Sequence, residues 1–204
     1  ETTLNIKYYY EEFLSVMGVK SADKKMRFME LIEVYGNIRR IPDVRLKEVL
    51  TAKAYEQFEK ISFMLASESM TSLEKSIVQG PGDAALAACA LLVNDQEQEH
   101  FVVISLDRRN RIIEVKKLYT GSVSSSQIRI AEVFKRAIQL QASAIIIAHN
   151  HPSGDTTPSP DDVAVTRAIV QAGNLLDIDV LDHVVVDPPT NKYTSLKERG
   201  LGFS

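Results

Sequence analysis

The sequence predicts an α/β sandwich around a mixed sheet, preceded by a small helical domain. Three observations carry that reading. Apolar residues recur at helical spacing from residue 8 to about 75. The stretch "QGPGD", residues 79–83, then sets Gly and Pro side by side, a turn or linker signal. Beyond it the pattern runs helix, strand, strand, helix, strand, helix, strand. The boundary falls between 78 and 79, which makes 1–78 a helical domain and 79–204 an α/β domain.

Each element has its own signature. Phe13, Leu14, Val16 and Met17 share a first helix, and Met26, Met29, Leu31 and Ile32 a second that ends near Gly36. Leu46, Val49 and Leu50 mark a short third helix. Tyr55, Phe58, Ile61, Phe63 and Leu65 mark a fourth. The Met and aromatic residues of these helices read as core. Ala84 to Leu92 is an Ala-rich helix. "HFVVISLD", the turn "RRN" and "IIEVKKLYT" form a hairpin. Gly121 and the serines 124–126 break the chain before a helix over Ile128 to Leu140. "SAIIIA" is a continuous apolar run, the mark of a central strand buried on both faces. Val163 to Leu175 is a helix and Asp179 to Val186 a strand.

Composition narrows the function classes. With 45% hydrophobic and 25% charged residues the chain is an ordinary globular protein. No run reaches the ~18 apolar residues of a membrane span, so no membrane partner is expected. No apolar signal-peptide stretch lies near Glu1, and the start at Glu rather than Met leaves room for a longer parent sequence. Cys89 is the single cysteine and excludes an internal disulfide or a thiolate zinc cluster. Its place in "AALAACALLV" reads as a small buried hydrophobe. A reducing, cytoplasmic location is the expectation. Residues 1–75 carry 12 basic and 12 acidic side chains; residues 76–204 carry 12 and 15. Neither part is basic, which counts against DNA as the main partner.

The chemistry collects in "AHNHPSGDTTPSPDD", residues 148–162. It follows a buried strand directly, where sites gather in α/β sheets. His149 and His151 are two apart, so in extended backbone both imidazoles project to one side. Pro152 stiffens the chain behind them. Asp162 would complete a His₂–carboxylate set that leaves a fourth position of zinc open to water. It also has a structural reading. Ser159-Pro160-Asp161-Asp162 is a helix start, with Ser at the cap, Pro at the first helical position and an acid at the third. Spacing alone leaves cap and ligand both open.

The string His149-Asn150-His151-Pro152-Ser153-Gly154-Asp155, followed by Pro158-Ser159 and Asp162, closely resembles the RadC family of the JAB/MPN+ (JAMM) metalloprotease superfamily. The superfamily signature is an upstream Glu, then H-x-H-P, then S-x-x-D. The resemblance extends through "EHFVVISLD" and "AGNLLDIDVLDHVVV", from about Pro81 to Gly202. It implies a JAB/MPN-type sandwich and a zinc-dependent hydrolase of peptide or isopeptide bonds. It assigns His149, His151 and Asp162 as Zn²⁺ ligands, Glu99 as general base and Ser159 as a donor to the oxyanion. Glu97 is a rival base on the same strand face in "DQEQE". His183, in the family's Asp-His pair, orients a ligand or the loop, or is a satisfied core histidine. His100 faces away from Glu99 by alternation and has no role. Asp155 supports the site through its own loop backbone.

Catalytic regions of this family usually follow a helical segment of helix-hairpin-helix character, which meets DNA backbone through a glycine turn. "VYGNIRRI" keeps part of that look, but Leu50-Thr51-Ala52-Lys53-Ala54, the comparable turn, has no glycine. A protein-docking or dimerising module is preferred there, and a homo-oligomer is compatible with it. The alternative to a peptidase with a protein or peptide substrate is a DNA-associated protein, a binder or metal-dependent nuclease, in line with the family's DNA-repair label.

Overall fold

The computed structural model describes residues 2–35, 38, 41–73, 76–92, 97–121 and 128–203. Gly36, the serines 124–126 and the side chains of Phe63 and Leu65 lie outside the described residues. The chain divides into two compact units, Glu1–Ser67 and Glu68–Ser204.

The first unit is helical. It contains α1 (Thr2–Val16), α2 (Ala22–Tyr35) and α3 (Asp43–Val49), and α4 (Ala52–Leu73) begins in it. Leu14, Phe28, Leu46, Leu50 and Ala54 bury their side chains together as its core. Val16 and Met26 do not join them; they are 78% and 58% exposed. Each stands two residues from a buried neighbour, Leu14 or Phe28, and so about 200° around the helix from it. Tyr8 and Tyr9 are exposed as well, so the aromatics of α1 are only partly core. The glycine-free segment at 50–54 is a helix start. Thr51 Oγ1 accepts the Ala54 amide at 3.1 Å and caps α4.

The second unit is the α/β sandwich. It is built from α5 (Pro81–Leu92), β1 (His100–Leu106), β2 (Ile112–Thr120), α6 (Ile130–Gln139), β3 (Ala144–Asn150), α7 (Pro160–Leu176), β4 (Asp179–Asp187) and β5 (Lys192–Ser195). The "QGPGD" stretch turns into the first residues of α5. Asp83 Oδ2 accepts the Gln79 and Gly80 amides at 2.8 and 3.3 Å, and Pro81 needs no amide partner at a first helical position. The sheet order is β2-β1-β3-β4-β5, with β3 and β4 parallel and the other neighbours antiparallel. The hairpin turn is held by Asp107 Oδ1, which accepts the Arg109 and Arg111 amides at 2.7 and 2.9 Å.

Strand alternation divides the core in two. Val102, Ile104, Leu106, Ile146, Ala148 and Val184 face α5, where Cys89 is buried too. Burial and the nearby Asp187 charge push the Cys89 thiol up to about 12, so it acts as a small hydrophobe. Phe101, Val103, Ile145 and Ile147 face α6 and α7, where Val133, Phe134, Val165 and Ile169 complete the layer. His149 and His183 continue this second set. Their register partners are Phe101 and Ile147 respectively.

Gly173 lets α7 close on the sheet. A Cβ there would lie 2.6 Å from the Ile178 carbonyl oxygen and 2.8 Å from Val180 Cγ2. Gly173→Ala is therefore expected to destabilise the protein by about 1–3 kcal/mol, the usual cost of overpacking. A urea melt reads this; an unchanged midpoint would show that α7 shifts freely.

Candidate metal centre

The end of β3 and the start of α7 build the site. His149 is the sixth residue of β3, lies on the α7 side of the sheet and is fully buried. His151 follows two residues later on the same side, with 20% of its side chain exposed. Their Nε2 atoms stand 3.0 Å apart. The His151 Nδ1 donates to the Asp155 carbonyl oxygen at 2.7 Å. A carbonyl can only accept, so in the neutral ring the His151 Nε2 lone pair points into the site. The loop that supplies this carbonyl turns at Gly154, whose φ is +74° and whose amide donates to His151 O at 2.9 Å.

Asp162 caps its helix and faces the histidines at the same time. Ser159 Oγ accepts the Asp162 amide at 3.2 Å, and Asp162 Oδ2 accepts the Ser159 amide at 2.6 Å, a full capping box. The other oxygen, Oδ1, lies 3.2 Å from His149 Nε2, while Oδ2 is 3.6 Å from His151 Nε2. A carboxylate has enough lone pairs for both tasks, so the cap and ligand readings are compatible. The Ser159 hydroxyl donates its single hydrogen to Asp162 Oδ2 at 2.7 Å. Service to an oxyanion would require it to leave that bond.

Glu99 lies just before β1, half-buried. Glu99, His149, His151 and Asp162 each bring a ligand atom within 4.8 Å of the others, a group able to hold a metal ion. Glu97 is exposed and outside this group. Asn150, between the two histidines, points to the other face and sets Glu99 in place. Its Oδ1 accepts the His100 amide at 2.9 Å and its Nδ2 donates to the Gln98 carbonyl at 3.0 Å, so the amide grips the backbone on both sides of Glu99. His100 itself is buried, with Nδ1 3.1 Å from Thr120 Oγ1.

The electrostatics favour a positive charge between these atoms. Burial alone would raise the Asp162 carboxyl, but hydrogen bonding with His149 and His151 outweighs it and holds the group well below the usual carboxylate range. Hydrogen bonding to Asp162 lifts the His151 imidazole above its ordinary value despite partial burial, and the Asp155 carbonyl and Glu99 charge add to the effect. Two imidazole nitrogens 3.0 Å apart beside a carboxylate repel one another unless a proton or a metal cation lies among them. The donor set, two imidazoles and a carboxylate, is one that suits zinc.

The remaining predicted residues take supporting places. The Asp155 side chain accepts the Thr157 amide at 2.9 Å, within its own loop, and its backbone oxygen orients His151. His183 is buried behind His149, with its Nε2 2.8 Å from His149 Nδ1. Its neighbour Asp182 accepts Ser195 Oγ at 2.7 Å and the Lys197 amide at 3.3 Å, and so ties the end of β5 and the chain after it to β4. Sequence reasoning missed Asn150 and also Thr166, which contacts both His183 and the Asp162 backbone. Thr166 had a signal: it lies one helical turn after Asp162 and so on the same face.

A family model described as RadC-like JAB domain matches residues 79–201. A UPF0758 protein of Roseiflexus sp. (strain RS-1) is 47% identical over 130 residues, 64% of this chain and 54% of the relative. One from Chloroflexus aggregans is 41% identical over 169 residues, 83% of this chain and 70% of the relative. One from Chloroflexus aurantiacus is 34% identical over 199 residues, 98% of this chain and 80% of the relative. The match to the Roseiflexus protein thus spans about half of that protein's length.

Proposed function

The chain belongs to the RadC-like JAB domain family, and from that premise we propose that it is a zinc-dependent hydrolase of the JAMM type that cuts a peptide or isopeptide bond. One observation carries the reading: Glu99, His149, His151 and Asp162 converge within 4.8 Å at the end of a buried strand. The resemblance assigns three of these as ligands and one as base, and that division fits their surroundings. His149 and Asp162 are deeply buried and fixed by hydrogen bonds, as ligands need to be. Glu99 is half-buried, so a base there can still meet water.

Bound zinc supplies a Lewis acid that brings a water's pKa toward about 7 and polarises the scissile carbonyl. Glu99 accepts the proton of the attacking water and delivers it to the departing amine nitrogen. His149, His151 and Asp162 hold the centre, with the Asp155 carbonyl and the capping box keeping their aim. Ser159 reaches the developing oxyanion once its hydroxyl lets go of Asp162, and it trades one charge-assisted bond for another. The substrate is a protein or peptide.

Support for the DNA-associated alternative is thinner. Nucleases of phosphodiester bonds often use two metals near 4 Å apart. Among the described residues there is one cluster of metal-ligating side chains, and only two of its four members are carboxylates. The helix start at Thr51 offers no glycine turn for phosphate. The two readings separate in one experiment. Zinc-loaded protein is incubated with a peptide library, with ubiquitin-like isopeptide conjugates and with plasmid DNA. New amine termini that disappear on chelation are expected. Intact amides alongside nicked plasmid would overturn the peptidase reading.

A further inference from the structure

Behind His149 lies a chain of hydrogen bonds whose directions follow from counting hydrogens. Thr166, on α7, is fully buried. Its Oγ1 is 2.6 Å from the Asp162 carbonyl oxygen and 2.5 Å from His183 Nδ1. The carbonyl has no hydrogen to give, so the single hydroxyl hydrogen goes to it. His183 Nδ1 must then carry a hydrogen; otherwise two bare acceptors would face each other in a dry site. His183 is buried, and its two ring nitrogens meet a hydroxyl and an imidazole, neither of them an anion; a charged ring there would be buried without a partner, so the ring is neutral. A neutral ring with its hydrogen on Nδ1 has a bare Nε2. That atom accepts from His149 Nδ1 at 2.8 Å.

We infer that Thr166 and His183 are positioning residues: together they fix the hydrogen of His149 on Nδ1, so that its Nε2 lone pair is held out to the metal. The inference rests on the zinc reading given above and adds a mechanism for it. The relay begins and ends on Asp162. The backbone carbonyl of Asp162 orients the Thr166 hydroxyl, and its carboxylate lies 3.2 Å from the nitrogen that the relay exposes. One residue at the start of α7 therefore serves as cap and ligand and anchors the orientation of a second ligand on β3. Thr166 touches neither substrate nor metal; it acts through His183 and His149.

The test compares Thr166→Val, which removes the hydroxyl at nearly constant volume, with Thr166→Ser, which keeps it. Zinc affinity is read by competition with a chromophoric chelator. Thr166→Val is expected to bind zinc about 10–100-fold more weakly, as when an outer partner of a ligating histidine is lost, and Thr166→Ser to recover most of that. A general packing defect would affect both variants alike. Long-range ¹⁵N–¹H correlation of the histidine rings in zinc-free wild type gives a second readout, expected to show His183 neutral with its hydrogen on Nδ1. That spectrum decides the matter if Thr166→Val does not fold. Wild-type zinc binding with an undiminished Thr166→Val, or with the His183 hydrogen on Nε2, overturns the relay and leaves the zinc centre standing. No zinc uptake by wild type overturns both.

Discussion

Glu99→Gln is expected to keep its metal and lose about 10²–10⁴-fold in turnover, the usual contribution of a positioned base. Glutamine has nearly the shape of glutamate but cannot take a proton from water. The fold should tolerate the change, because Asn150 holds this segment through the backbone of residues 98 and 100 rather than through the Glu99 side chain. Zinc content should stay at the wild-type level, since His149, His151 and Asp162 are untouched. Steady-state hydrolysis of a cleaved peptide, measured beside zinc content, checks both halves. Full activity in Glu99→Gln would remove Glu99 as base. Loss of zinc would instead make it a ligand.

His149→Ala has the second large effect, on the metal itself. The side chain is fully buried, with its ring nitrogens against Asp162 and His183, and alanine brings no donor atom in its place. Loss of zinc affinity should exceed the about 10–100-fold typical of an outer partner, because a ligand is removed outright. Asp162→Ala should also lose metal, but it removes the capping box of α7 as well, for about 1 kcal/mol of stability. Both are depleted of zinc, and in the presence of a chelator both should melt below equally metal-free wild type, Asp162→Ala through loss of the cap and His149→Ala through the cavity and the unpaired His183 Nε2 it leaves. Equal zinc binding in His149→Ala would refute the ligand set.

Much of this was legible in the residues, for identifiable reasons. "SAIIIA" lies between neighbouring strands and helix layers on both faces, so its run is unbroken and declares a central strand, whereas "HFVVISL", equally buried, was legible only as one strand of a hairpin. β5 escaped notice because "KYTS" is four residues at the sheet edge, with no apolar run or alternation. Two histidines two apart at a strand end needed only alternation to be placed together. Asp162 stayed ambiguous because its spacing fits a cap and a ligand equally, and the structure uses it in a geometry suited to both. Asn150 and His183 were harder. What Asn150 grips depends on β1 pairing with β3 so that Phe101 meets His149. The meeting of His183 with His149 depends on a parallel register with a bulge between Ile145 and Ile146. Register across a sequence separation of 34 or 50 residues is a tertiary outcome, and no local pattern encodes it.

The proposed zinc centre is decided by metal content, read by elemental mass spectrometry of freshly purified wild-type protein. About one zinc per chain is expected, as a single His₂–carboxylate site holds. Protein that contains no metal and takes up none when zinc is added would contradict it, and would leave Ser159 and Asp162 as a helix cap beside two hydrogen-bonded histidines.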